Sequence, residues 1–124
     1  MTNKEKLYLT QQDLYRIGNS TSSRLPHVRP SEIQTMEVNG IVTIIANNNG
    51  VSVFTQEGLD ESPLAGWVWE IKQGTLLPAG LKIIKRGSKG HHMITPTRNM
   101  PLTQYVGLLE QVAIHCKKLF KKQA

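Results

Sequence analysis

Arg16, His91, His92 and Cys116 are the residues of this sequence whose types first suggest chemistry. Arg16 stands in the middle of LYRIG. An arginine among Leu, Tyr and Ile either lies on the solvent face of a short strand or is held toward an anion in a cleft. The local pattern leaves both open. His91 and His92 are adjacent in GHHMITPTRNM, and a neutral imidazole can hydrogen-bond a sugar hydroxyl or a phosphate, or exchange a proton near neutrality. Neighbours on a strand face opposite ways, so the pair is a poor metal site. One exposed and one half-buried histidine with no chemical task is the plainer alternative. Cys116 has no second thiol for a disulfide or a zinc site, and its place in an apolar helical stripe makes it a packing thiol. Neither a Gly-rich phosphate loop nor HExxH occurs, so no metal is expected.

Side chains this far apart in sequence can meet only if a folded body brings them together. The 124 residues suffice for one domain with a single core. Apolar residues make up 39% and charged residues 19%, a globular composition, neither disordered nor membrane-spanning. The start, MTNKEKLYLTQQ, is too polar for a secretory signal, so the chain is expected to act in the cytoplasm. Fifteen Lys and Arg against nine Asp and Glu give +6, which favours anionic partners: nucleotides, nucleic acid or an acidic protein.

Residues 1–12 read as a flexible N-terminal segment, and Leu14–Gly18 as one short strand. The loop 19–31 carries Arg24, His27 and Arg29 and is either a solvated connection or a flap over a ligand. IQTMEV and IVTIIA flank Asn39-Gly40, the residue pair that best accepts the positive φ of a tight hairpin turn. After Asn47–Gly50 come VSVF, an acidic loop EGLDESPLAG, and WVWEI, whose Trp67, Trp69 and Ile71 share one face and read as core. Turns then recur too often for long helices, so residues 33–96 are expected to form antiparallel or mixed β structure. From Pro101 onward, apolar residues from Leu102 through Tyr105, Leu109, Val112 and Cys116 to Phe120 recur at helical spacing. Lys117, Lys118, Lys121 and Lys122 then fall in the helix's last turns and read as a solvated end; gripping phosphates is the alternative. The fold class is α+β.

Four segments in order carry a resemblance: LYR at 14–16, GVSVF at 50–54, WEIKQGTLLPAG at 69–80 and HHMITPTRNM at 91–100. Together, over almost all of the chain from about residue 13, they resemble the small bacterial toxin family of ADP-ribosyltransferase fold that type VI secretion systems inject into competitor cells. The resemblance implies one toxin domain over residues 13–124 with an ADP-ribosyltransferase-like sheet core and a C-terminal amphipathic helix. It also implies NAD as substrate, an unknown acceptor macromolecule, and a cognate immunity protein. Breaking the bond between nicotinamide and ribose passes through an oxocarbenium-like state, so the site must hold a diphosphate and stabilise developing positive charge.

By the same likeness, Arg16 matches the first-strand arginine that meets NAD phosphate or ribose. Ser52 matches the central serine, and His91 the histidine of the late motif. Glu70 is the only acid on a late strand, where such enzymes carry a glutamate, and no Glu-x-Glu or Gln-x-Glu occurs. Tyr15 could stack on nicotinamide, yet Tyr15 and Arg16 cannot both face one cleft from a regular strand. His92 is assigned to the sheet. A ribonuclease-like toxin using His91, Arg16 and lysines, or a non-catalytic anion-binding module, would suit the same residues. The NAD reading makes one geometric demand: Arg16, Ser52 and His91 must share a cleft.

Overall fold

The computed structural model describes residues 6–87 and 90–123. Six strands form one sheet in the order β6-β7-β4-β1-β5-β9, all pairs antiparallel: β1 (Leu14–Gly18), β4 (Val51–Phe54), β5 (Gly66–Ile71), β6 (Leu81–Lys85), β7 (His91–Pro96) and β9 (Lys117–Lys122). A second sheet joins β2 (Thr35–Val38), β3 (Ile41–Ile44) and β8 (Met100–Pro101). Asn39 and Gly40 turn the β2–β3 hairpin with φ of 51° and 80°, the left-handed values that the Asn-Gly pair tolerates. Beside a smaller buried cluster of Tyr15, Leu59 and Val68, the main core lies between the large sheet and the helix α2 (Leu102–Ala113), whose Tyr105, Leu109 and Val112 pack with Leu14, Val51, Val53, Ile71 and Ile94. These positions alternate along the strands and recur each turn on the helix, so patterning alone directs them inward.

Three expectations are corrected. The helix stops at Ala113, and residues 117–122 form an edge strand in place of its last turns. Without that strand the outer backbone groups of β5 would lack partners, and this long-range demand outweighs helical spacing in a short segment. The four lysines therefore lie along a sheet edge. The acidic loop opens with a helix, α1 (Gln56–Glu61), capped by Thr55, whose hydroxyl accepts from the Gly58 amide. Neither tryptophan belongs to the core: Trp67 is half-buried beneath the Lys118 ammonium, 4.8 Å from its ring centroid, and Trp69 donates its indole N–H to the Asn19 carbonyl. Of the N-terminal segment, residues 1–5 lie outside the described residues, whereas Tyr8 and Thr10 hydrogen-bond the backbone of residues 74–77.

Gly50 shows how tightly the core meets β7. A Cβ there would run into the Ile94 carbonyl, which also accepts the Tyr105 hydroxyl at 2.7 Å. Gly50→Ala is expected to cost about 1–3 kcal/mol through this overpacking, read as a lowered melting temperature.

Candidate active site

The site forms where β1 and β4 part. Their single register pair is Tyr15↔Phe54. Beyond it, the Ser52 amide and carbonyl on the β1 side have no strand partner, and two side chains take that place. Arg16 Nη1 donates to the Ser52 carbonyl at 2.8 Å, and the Ser52 amide donates to Glu32 Oε2 at 3.0 Å. Buried backbone groups need such partners, so an arginine and a glutamate substitute for a missing stretch of ladder and hold the strands apart as a cleft. Arg16 Nη2 donates to the carbonyls of Arg24 and His27, both at 3.2 Å, and Nη1 faces Glu32 Oε2 at 3.5 Å. The loop 19–31 is thereby pinned to the sheet, with Leu25 fully buried.

The cleft has a volume of about 180 Å³ and is lined by Arg16, Ile17, Arg29, Ser52, Phe54, Leu64 and His91. It shares Arg16, Ile17, Arg29 and Leu64 with an outer cavity of about 290 Å³ that extends along Gly18, Arg24, His27 and Ala65. Among the described residues, no carboxylate lines either space. Inside the inner cleft, His91 Nε2 lies 2.9 Å from Ser52 Oγ, and its ring stacks on Phe54 with centroids 5.4 Å apart. Pairing Phe54↔His91 and Ser52↔Met93 across β4 and β7 sets this arrangement, because residues two apart share a face. Burial lowers the His91 pKa, and His92 and Arg86 lower it further, so the imidazole is neutral at pH 7. Burial also lowers the Arg16 pKa, but Glu32 opposes this and an arginine stays charged.

Arg16, Ser52 and His91 thus converge on one cleft, and two other candidate residues do not. Tyr15 packs with Leu59 and Val68 and lines a wide cavity elsewhere, while Glu70 is its register partner on β5. Burial, then Glu70, raises the Tyr15 pKa. That wide cavity, about 810 Å³, and another of about 490 Å³ both exceed the cleft, but the first is lined by Asp13 and Glu57 and the second largely by leucines and N-terminal residues. Size alone does not mark a site; converging polar groups do. His92 is 9% exposed and satisfied, its Nδ1 on the Gly90 carbonyl and its Nε2 beside the Gln12 amide, as suits a sheet residue. Burial pushes the Cys116 thiol up to about 11, which leaves it inert.

The model of the Tse2 ADP-ribosyltransferase toxin family matches residues 12–120. The chain belongs to this family. Membership in the Tse2 toxin family fixes the general activity, ADP-ribosyl transfer, and implies NAD as substrate. No curated protein matches the chain. Sequence reasoning missed Glu32, 9% exposed and bonded to three segments of the site. Its signal was present: Pro30-Ser31-Glu32 after Arg29 has the proline and the third-position glutamate of a helix start, and Glu32 Oε1 accepts the Arg29 amide at 3.0 Å.

Proposed function

We propose that the cleft binds NAD and that the protein acts as a toxin in the cytoplasm of a target cell, transferring or hydrolysing the ADP-ribose of NAD. What supports this reading above all is the meeting of Arg16, Ser52 and His91 in one cationic cleft within a member of the Tse2 family. In this reading the nicotinamide end enters the inner cleft between Ile17, Phe54 and Leu64, and the diphosphate lies toward the arginines. His91, neutral and held by Ser52, accepts a hydrogen bond from a ribose hydroxyl. The C1′–N bond breaks, nicotinamide leaves with the electron pair, and water or an acceptor nucleophile adds to C1′ and loses its proton. Tyr15 and Glu70 have no part in this step. The net +6 suits a cognate immunity protein with an acidic face, and delivery by a type VI secretion system follows from the family's kind.

Incubation of the purified protein with NAD tests the reading by nicotinamide release. Ser52→Ala removes the group that orients His91 and is expected to slow release roughly tenfold with little change in melting temperature. The absence of both nicotinamide release and calorimetric heat with NAD at low salt would overturn the proposal, and RNA degradation without NAD would replace it with a ribonuclease.

A further inference from the structure

Arg16 is the arginine that the family pattern singles out, yet the N–H groups of its Nη1 and Nη2 are already committed. A guanidinium has five N–H donors. Three of the four on Nη1 and Nη2 have the carbonyls of Ser52, Arg24 and His27 as acceptors, and the fourth faces Glu32. The remaining donor, Nε, has no partner but is buried, closed off from a ligand in the cleft. To bond a phosphate, Arg16 would have to give up a backbone carbonyl and release the loop that it pins.

Arg29 has no such conflict. It lines both the inner cleft and the outer cavity, so it stands at their junction, where a ligand longer than one ring must pass its middle. Its side chain is 56% exposed, and one buried carboxylate holds the residue at its backbone and its side chain: Glu32 Oε1 accepts the Arg29 amide at 3.0 Å and lies 3.8 Å from Arg29 Nε. Arg24 lines the outer cavity alone.

Resting on the NAD reading of this cleft, we propose that Arg29 is the residue that grips the diphosphate of the dinucleotide, with Glu32 as its positioning residue and Arg16 as the fixed cationic wall behind. A planar fork suits a diphosphate, whose oxygens accept paired N–H groups. The nicotinamide riboside portion, which carries no phosphate, owes Arg29 nothing.

Calorimetric titration of the full chain with ADP-ribose and, separately, with nicotinamide riboside tests this. Arg29→Gln is expected to weaken ADP-ribose binding roughly 10- to 100-fold and to reduce its salt dependence, while nicotinamide riboside binds as before. Arg29→Lys, which keeps charge but loses the fork, should fall between. Unchanged ADP-ribose affinity in Arg29→Gln, with normal binding by the wild type, overturns the Arg29 assignment and leaves the NAD reading standing. Equal weakening of both ligands also overturns it, because that marks a collapsed cleft. A wild-type protein that binds neither ADP-ribose nor NAD removes both.

Discussion

Arg16→Ala is expected to lower the stability of the whole protein by about 3–5 kcal/mol, because it leaves a buried carboxylate without its cation. Glu32, at 9% exposure, would keep only its two backbone amides and the loose pair with Arg29, and the carbonyls of Ser52, Arg24 and His27 would lose their donor together. A melting temperature lowered by roughly 10–20 °C is the expected reading for a chain of this size. Nicotinamide release should vanish as well, but as a consequence: with the loop 19–31 unpinned, the wall of the cleft is gone. Arg16→Lys keeps the charge and cannot span four acceptors, so it should recover part of the stability and little activity. An Arg16→Ala protein with wild-type melting temperature and no activity would show that Arg16 contacts substrate and is dispensable for the fold.

This double role explains what could be read from the sequence and what could not. LYRIG, GVSVF and HHMITP are each short strands whose alternation says which residues share a face, so the meeting of Arg16, Ser52 and His91 follows once β4 is placed between β1 and β7. Strand order, however, is a long-range property that no local pattern encodes, and the expectation of a shared cleft comes from the family resemblance. Glu32 ends a short helical turn, Pro30–Glu32, whose start is legible in the sequence, but its importance comes from a gap between two strands 36 positions apart at Arg16 and Ser52, which no local signal shows. In the tail, helical spacing misleads for a related reason. Residues 114–122 carry apolar groups at helical spacing, but the open edge of β5 decides their conformation. In both places the hydrogen-bond demand of a distant strand decides the outcome, and in the tail it overrides local preference.

His91→Phe is the sharper probe of chemistry, because it keeps the stack on Phe54 and removes the ring nitrogen that faces Ser52. Nicotinamide release is expected to fall on the order of 10²-fold, the loss typical of one preorganised hydrogen-bonding group at a charged transition state. The wild-type rate should also depend on pH in a defined direction. Burial, His92 and Arg86 hold the His91 pKa below its ordinary 6.5, so the imidazole stays neutral and able to accept a hydrogen bond until the pH falls below that value. Activity should therefore be level through neutrality and decline only in mildly acidic solution, and His91→Phe should lack that acid limb. Stability follows the same sign: the unfolded chain takes up the proton first, so the contribution of His91 is full above pH 6.5 and shrinks as pH falls toward the lowered folded value. Undiminished nicotinamide release by His91→Phe, or an acid limb that persists in that variant, would move the hydrogen bond to ribose onto another group of the cleft.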